Sequence, residues 1–271
     1  MSMPGLNAYS LVGPTASGKT AVAQKIAAED GYDIVSADSM LVYRGMDIGT
    51  AKPSPAERGA VRHWCMDLAA PGERYSVGLF RDAAVAALSA ISAGGGKAIV
   101  TGGTGLYVKA LTHGLIHAAP MEAELRAKLD RMADTGSLPE LQEMLRREAP
   151  ALYEALPDKN NPRRLARAIE LARSGVTERP SSWKDTGAGP ILTGLRPDPD
   201  YLRKRIEDRV AQMYRAGLLD EVRTLLAGGF RQSKTAAEAI GYAEAVAVID
   251  GASTEEEAIA QTVKRTMRLA K

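Results

Sequence analysis

The sequence contains little of what several protein classes require. Among its 271 residues there is one cysteine, Cys65, which excludes an internal disulfide and a zinc site built from cysteines. It has no apolar run of about 18 residues and no charged-then-apolar leader, so we expect a cytoplasmic protein without a membrane partner. Charge of one sign is not in excess either, because 35 Lys and Arg face 33 Asp and Glu. Any contact with nucleic acid must therefore come from local clusters of basic residues.

The sequence does contain enough apolar material, 45% of its residues, for one α/β domain and a smaller appendage. Its most specific pattern is GPTASGKT at 13–20, which fits the phosphate-binding P-loop at every fixed position. A short buried strand is predicted over 8–12 before it. After it, a helix is predicted with an apolar stripe of Ala21, Val22, Ala23, Ile26 and Ala27. The predicted phosphate-binding residues are Gly13, Thr15, Ala16, Ser17, Gly18, Lys19 and Thr20.

These residue types suit an anion. The two glycines let the backbone turn its N–H groups inward, and the start of the helix adds partial positive charge. Lys19 would then reach the outer phosphate, and the Thr20 hydroxyl would ligate Mg²⁺. The alternative is a glycine-rich turn without a ligand, which the flanking strand and helix disfavour.

A second strand, predicted over 33–37, runs into Asp38. Ligands bind at the carboxyl ends of the strands in open parallel sheets, so Asp38 is a candidate metal ligand or general base. An aspartate that only caps a helix or closes a turn is the alternative. The polar, glycine-containing loop over 45–52 would lie at the same edge, where a long loop is either functional or only a connector.

A third strand, predicted over 97–101, ends in glycines and not in the acid of an ordinary ATPase. Thr101 stands where that Walker-B acid should be, and the tetrapeptide GGTG follows at 102–105. The glycines would let a substrate lie close to the backbone, and Thr104 would supply a hydroxyl. A plain tight turn explains the same tetrapeptide.

Between 115 and 173 the pattern changes to charged amphipathic helix without a strand signal. A strand over 191–195 then returns to the sheet. We therefore predict an α/β domain over 1–114 and 190–271, interrupted by a helical insertion over 115–189. Other helices are predicted over 77–93, 198–226 and 241–250, and the last helix opens on a capping box at Thr254.

Basic residues cluster on two of the predicted helices. Arg163 and Arg164 lie together with Arg167 one turn on, and they suit phosphate contacts on a polyanion or a solvated face paired with Glu170. The 198–226 helix carries a second cluster, which would close over a diphosphate or pair with acids on the same helix. Its members are Arg203, Lys204, Arg205 and Arg209, and the acids are Glu207 and Asp208.

Three motifs together make the chain resemble the bacterial tRNA dimethylallyltransferases. They are the P-loop at 13–20, the DS and YRGMDIGTAK pieces of 38–52, which are the most specific, and GGTGLY at 102–107. The resemblance runs nearly end to end, through NPRR at 161–164 and RIEDRV at 205–210. It implies a P-loop NTPase-like parallel sheet flanked by helices, with a helical insertion that grips the tRNA anticodon stem-loop. It also implies that a dimethylallyl group moves from dimethylallyl diphosphate to the N6 amine of the adenosine 3′ of the anticodon, with Mg²⁺ as cofactor.

Carried over by position, the resemblance assigns roles to individual residues. Asp38 becomes the base that meets the adenine amine, Lys19 and Thr20 join it as catalytic residues, and Thr20 is the metal ligand. Arg205 joins the P-loop in binding the diphosphate, and we expect a monomer. The residues placed against tRNA are Asp38, Ser39, Met40, Leu41, Thr104, Arg126, Pro162, Arg163, Arg164, Leu165 and Ala166.

Two departures from the family pattern bear on tRNA binding. Leu41 stands where the family often has glutamine, so we expect one polar contact to the RNA to be missing. The sequence ends at Lys271, ahead of the basic, tryptophan-containing terminus usual in the family. We therefore expect either a longer natural chain or a member that binds tRNA with fewer contacts.

Three other functions share part of the pattern. A P-loop small-molecule kinase would use the same loop and an aspartate but would transfer phosphate from ATP. An adenine-nucleotide prenyltransferase would have no use for Arg163, Arg164 or the helical insertion. A nucleotide-binding switch would bind GTP or ATP without any transfer.

Overall fold

The computed structural model describes residues 8–115, 123–176, 192–233 and 235–271. The chain divides into two compact units, unit 1 with residues 1–114 and 189–271 and unit 2 with residues 115–188. The second predicted domain boundary, at 189–190, lies outside the described residues.

Unit 1 is built on a five-stranded sheet in the order β3-β2-β4-β1-β5, in which every pairing is parallel. Its strands are β1 (Ala8–Val12), β2 (Tyr32–Ser36), β3 (His63–Trp64), β4 (Lys97–Gly102) and β5 (Leu192–Gly194). The predicted α/β class with a parallel sheet is confirmed. The sequence did not predict β3, because two residues carry no periodicity. Of the predicted 191–195 strand, Ile191 lies outside the described residues.

The helices of the described residues surround this sheet or form unit 2. In chain order they are α1 (Lys19–Asp30), α2 (Pro55–Arg58), α3 (Val77–Ala93), α4 (Gly105–Thr112), α5 (Ala123–Thr135), α6 (Leu138–Glu148), α7 (Pro150–Glu154), α8 (Pro162–Arg173), α9 (Pro199–Arg215), α10 (Leu218–Ala227), α11 (Tyr242–Ile249) and α12 (Glu255–Leu269). Each is too short or too polar to span a membrane, within the part of the chain that is described.

Successive side chains of the central strands point to opposite faces of the sheet, because side chains alternate along a strand, and both faces are buried. Ile34 and Ile99 pack against the small residues of α1, and Val35 and Val100 lie in the larger core with α3. All four are at most 4% exposed. Burial of each such side chain stabilises the folded state by roughly 1.5–3 kcal/mol. The core therefore holds the central strands, and with them their carboxyl ends, in place.

Two sequence predictions about helices are corrected by the structure. In the predicted apolar stripe of α1, Ala23 and Ala27 are buried as predicted, whereas Ala21, Val22 and Ile26 are exposed, because the helix turns only its small residues toward the sheet. The single helix predicted over 198–226 is two helices, α9 and α10. Gly217 between them has φ of 98°, a left-handed conformation that glycine adopts easily and that ends a helix.

Unit 2 contains helices α5 to α8 and has its own core. Leu129, Leu141, Leu145, Leu165 and Ile169 are at most 1% exposed there. Leu129 of α5, Leu141 and Leu145 of α6, and Leu165 and Ile169 of α8 recur at the three- or four-residue spacing that places apolar side chains on one face of an amphipathic helix. No strand occurs among the described residues of this unit.

Candidate active site

The P-loop connects β1 to α1 and presents backbone at the edge of the sheet. Gly18 has φ of 91° and Ala16 has φ of 61°, so both adopt the left-handed conformation that curls the loop. Ser17 N donates to the Pro14 carbonyl at 3.3 Å, and the Ser17 hydroxyl is buried without a hydrogen-bond partner among the described residues. A loop with this curl before a helix start presents backbone N–H groups in the arrangement that suits an anion.

Lys19 is the first residue of α1, and its Nζ donates to the Pro14 carbonyl at 3.2 Å. Burial lowers the pKa of Lys19, the charge of Asp38 raises it, and Arg209 lowers it. Lys19 therefore lies among two other charged groups, and an added phosphate would favour its cationic form.

Asp38 and Thr104 meet at the same edge, after β2 and after β4. Asp38 Oδ1 accepts from Met40 N at 2.9 Å. One carboxylate oxygen therefore closes a turn, as in the interpretation of Asp38 as a turn residue. Thr104 Oγ1 accepts from Ser39 N at 3.1 Å and lies 3.3 Å from Ser39 Oγ. Because the carboxyl ends of parallel strands share an edge, the side chains after β2 and β4 lie beside the P-loop after β1.

The glycine at the end of β4 allows this close approach. A Cβ on Gly102 would overlap the Ala37 carbonyl group, and one on Gly103 would lie 3.2 Å from the Gly13 carbonyl oxygen. The backbone of the GGTG tetrapeptide is therefore pressed between the residue before Asp38 and the P-loop. Its glycines do more than form a plain turn.

Helix α9 directs two arginines at the P-loop. Arg205 Nε donates to the Ala16 carbonyl at 2.9 Å. Arg209 Nη1 lies 3.5 Å from Thr15 Oγ1, and its Nη2 donates to the Thr50 carbonyl at 3.0 Å. Burial lowers the pKa of Arg209, Asp38 raises it, and Arg205 lowers it.

The predicted basic cluster of this helix thus divides into two parts. Among the described residues, Arg205 and Arg209 form no ion pair with Glu207 or Asp208, so the interpretation as surface pairs is wrong for them. Arg203 and Lys204 are exposed. The sequence offered the whole cluster for a diphosphate, and the resemblance singled out Arg205; the structure adds Arg209, whose spacing of four from Arg205 places both on one helix face.

The loop from Asp38 to Lys52 is packed into the protein and is not a free connector. Tyr43 and Met46 are fully buried. The Lys52 side chain is 2% exposed. Its ammonium contacts Asp67 at 2.6 Å and Asp47 at 2.7 Å and donates to the Tyr43 carbonyl at 2.8 Å. A buried cation with three oxygen partners fixes the far end of the loop.

The predicted tRNA residues fall in both units. Asp38, Thr104 and the partly buried Ser39, Met40 and Leu41 lie in unit 1. In unit 2, Asn161 caps α8 by accepting from Arg164 N at 3.1 Å, and Pro162 is the first helical residue. The tRNA roles of these residues stay predictions.

The arginines of unit 2 differ in their partners. Arg167 pairs with Glu170 at 2.7 Å, and Arg126 lies 3.7 Å from the same carboxylate. Arg163 and Arg164 are exposed, with no ion pair to any described residue. The solvated-face interpretation therefore holds for Arg167, whereas Arg163 and Arg164 present their charge to solvent.

Two further predicted tRNA residues, Leu165 and Ala166, are buried. Leu165 is 0% exposed and Ala166 is 7% exposed, both in the core of unit 2. The Leu165 side chain packs against its own unit and is not on the surface. Any contact of this residue with RNA would have to use its backbone.

The donor set at the P-loop fits Mg²⁺. No group of three or more His, Cys, Asp or Glu side chains that could hold a metal occurs in the described ranges. Mg²⁺ does not need one, because it commonly takes one or two protein oxygens, several waters and the phosphates of a substrate. The exposed Thr20 hydroxyl, in the first turn of α1, can supply such an oxygen.

Comparison with known proteins places this arrangement in a family. The IPP transferase family model matches residues 41–271, and the isopentenyl transferase model matches residues 6–73. The tRNA dimethylallyltransferase 1 of Pelobacter propionicus is 40% identical over 100% of this chain and 89% of its own length. The tRNA dimethylallyltransferase of Anaeromyxobacter dehalogenans is 42% identical over 92% of this chain and 82% of its own length.

A solved structure has the same fold. The crystal structure of the tRNA isopentenylpyrophosphate transferase from Bacillus halodurans superposes with a TM-score of 0.69 and 35% identity. The match covers 97% of this chain and 84% of that one. With its P-loop, its parallel sheet and these relatives, the chain belongs to the IPP transferase family, the tRNA dimethylallyltransferases.

Proposed function

We propose that this protein transfers the dimethylallyl group of dimethylallyl diphosphate to the N6 amine of the adenosine 3′ of the anticodon in tRNA. The bond between the allylic carbon and the diphosphate oxygen breaks, and a carbon–nitrogen bond forms. The amine proton passes to Asp38, and diphosphate leaves. The observation that carries the proposal is the meeting of the P-loop, Asp38 and Thr104 at one sheet edge, with two arginines of α9 beside them.

The diphosphate would bind where positive charge and donors converge. The curled P-loop, Lys19 and the start of α1 face the same side as Arg209, and Arg205 holds the loop itself through the Ala16 carbonyl. Negative charge grows on the diphosphate oxygens as the allylic bond breaks, and preorganised donors stabilise that charge without reorganising. No phosphate is hydrolysed, so Thr101 in place of a Walker-B acid is compatible with this reaction.

Asp38 would act as the base. Its Oδ1 accepts from Met40 N, which leaves Oδ2 for the adenine amine. An exocyclic amine is a weak nucleophile, and a positioned carboxylate that accepts its proton typically contributes about 10²–10⁴-fold to the rate. The adjacent Ser39 and Thr104 hydroxyls would form hydrogen bonds with the edge of the adenine once it has flipped out of the base stack.

The tRNA phosphates would meet unit 2. Arg163 and Arg164 are exposed at the start of α8, where their side chains are free to contact the phosphate backbone of tRNA. Thr20 and the substrate phosphates would hold Mg²⁺, which when bound neutralises charge on the diphosphate. The monomeric state and the cytoplasmic location are part of the same proposal: the P-loop, Asp38, Thr104, Arg205 and Arg209 all lie in unit 1, and tRNA is a cytoplasmic substrate.

The test is transfer of labelled dimethylallyl groups. The protein is incubated with labelled dimethylallyl diphosphate and, in separate reactions, tRNA, AMP or ATP. Label in tRNA alone supports the proposal, and label in AMP or ATP would support the adenine-nucleotide prenyltransferase instead. Phosphate transfer from labelled ATP would identify a kinase.

The Lys19→Ala variant tests the phosphate site. We expect it to lose transfer and most affinity for inorganic diphosphate while the fold persists, because Lys19 contacts the loop and not the core. Lys25→Ala is the matched control on the same helix, since Lys25 is exposed and pairs only weakly with Glu29 at 3.9 Å. Unchanged turnover in Lys19→Ala contradicts the P-loop assignment.

A further inference from the structure

Glu221, in the first turn of α10, has a carboxylate that accepts four hydrogen bonds. Its Oε2 accepts from the backbone N of Asp47 at 3.0 Å and of Ile48 at 2.7 Å, and its Oε1 accepts from Gly49 N at 3.3 Å. The fourth donor is the Tyr242 hydroxyl, 2.6 Å from Oε1. The three N–H groups lie 172 to 174 positions away in the sequence, so this contact joins distant parts of the fold.

The arrangement is an anion site occupied by the protein's own carboxylate. Successive N–H groups that converge on one point form an anion-binding concavity, and bonds to a charged acceptor are stronger than neutral ones. Burial, with Glu221 nearby, strongly raises the pKa of Tyr242, so the phenol remains protonated and donates. The Tyr242 ring packs directly on Gly49, where a Cβ would lie 2.7 Å from Cζ. Any larger residue would push the loop away from the carboxylate.

The segment that Glu221 holds, 47–49, belongs to the loop that begins at Asp38 and leads directly to Thr50. The Thr50 carbonyl accepts from Arg209 Nη2 at 3.0 Å, and Arg209 also reaches the P-loop at Thr15. Displacing the held segment would therefore move the acceptor that orients Arg209. The Arg209 guanidinium would lose the partner that directs it toward the phosphate loop.

We propose that Glu221 is a positioning residue for the diphosphate site: by binding the three N–H groups of 47–49 it fixes the Thr50 carbonyl and, through it, Arg209. Glu221 touches neither the P-loop nor Asp38 in the contacts of the described residues. The inference rests on the proposed function for the identity of the anion, and the readouts below do not require transfer.

The perturbation is Glu221→Gln, which keeps the side-chain length but puts an NH₂ donor against the N–H donors of the loop. The matched control is Glu244→Gln on α11. Glu244 is a buried carboxylate that likewise accepts a backbone N–H, from Gly241 at 2.8 Å, and it pairs with Arg265 at 2.6 Å, but it has no contact with the loop among the described residues. Both variants should lose stability, and only Glu221→Gln should disturb the site.

Two measurements on the full chain separate these variants. Hydrogen exchange of the peptide containing 47–49 should become faster in Glu221→Gln and stay at the parent rate in Glu244→Gln. Calorimetry with inorganic diphosphate, referred to folded protein, should show roughly 10–100-fold weaker binding in Glu221→Gln, the scale of one lost hydrogen bond to a charged group. The kcat/KM for dimethylallyl diphosphate should fall in parallel, with KM for tRNA unchanged.

Chemical rescue adds a readout that a merely structural role would not move. Glu221→Ala leaves the three N–H groups facing space that a small carboxylate can enter. Added formate should therefore tighten diphosphate binding to Glu221→Ala and leave the parent and Glu244→Ala unchanged. If Glu221→Gln does not fold, Tyr242→Phe removes one of the four bonds and should shift exchange and binding in the same direction by a smaller factor.

The outcomes are distinct. Unchanged exchange at 47–49 would overturn the holding contact, and faster exchange with parent-like diphosphate binding would overturn the positioning role. Weaker diphosphate binding in Glu221→Gln supports the role even if the parent transfers nothing to tRNA. Absence of transfer to tRNA by the parent would refute the proposed function and leave the positioning role standing.

Discussion

Asp38→Asn is the sharpest test of how the reaction works. Asparagine keeps a carbonyl oxygen for Met40 N, which Asp38 Oδ1 accepts at 2.9 Å, so the turn survives. The change removes the charge and the proton acceptor together. If Asp38 is the base, kcat should fall by roughly 10²–10⁴-fold, which corresponds to about 2.7–5.4 kcal/mol of activation free energy.

The structure also predicts what Asp38→Asn does to the phosphate site. The charge of Asp38 raises the pKa of Lys19 and of Arg209, so both pKa values should fall further in the variant. A negative charge next to the anion site opposes anion binding. Diphosphate affinity near neutral pH should therefore be retained or slightly improved. As pH rises and Lys19 deprotonates, the variant should lose this affinity at a lower pH than the parent.

The assay is single-turnover transfer to tRNA across a titration of Mg²⁺, for the parent, Asp38→Asn and a control. Asp33→Asn is the control, because Asp33 is at the opposite end of the same strand and accepts from Trp64 Nε1 at 2.8 Å, a bond that asparagine can keep. Recovery of the rate by excess Mg²⁺ would show that Asp38 holds metal. A rate equal to that of the parent would reduce Asp38 to a turn residue.

Three further changes have expected outcomes. Replacing Arg163 and Arg164 together with alanine should weaken tRNA binding and lower the log–log salt slope by about one for each lost phosphate contact; equal slopes would return both arginines to a solvated face. Gly102→Ala should lower the free energy of unfolding by roughly 1–3 kcal/mol by overpacking against Ala37, whereas Gly105→Ala, whose Cβ meets nothing within 4 Å, should not. Burial lowers the pKa of His63 below its ordinary value of 6.5, so below that pH the unfolded state binds a proton that the folded state resists. The free energy of unfolding should therefore fall as pH drops below 6.5. Measured by urea unfolding, His63→Gln should lose less stability over that pH window than the parent.

Local patterns were sufficient for the parts of this protein whose physics is local. The P-loop is a turn of eight residues between a strand and a helix, and its glycines and lysine act within that stretch. The capping box at Thr254 is likewise set by neighbours in sequence. Asp38 was found because the carboxyl end of any parallel strand is a ligand edge.

Tertiary structure alone decided which distant partners Arg209 and Glu221 meet. Arg209 meets partners 159 and 194 positions away, and Glu221 binds N–H groups up to 174 positions away. No periodicity of α9 or α10 reports such partners, because a hydrophobic stripe says only which face is buried. Gly217 ends one helix and begins another, and that turn sets Glu221 at the start of α10 against the loop. The sequence determined the kinds of chemical group at this edge, and the packing of α9, α10 and α11 against the 38–52 loop determined which of them meet.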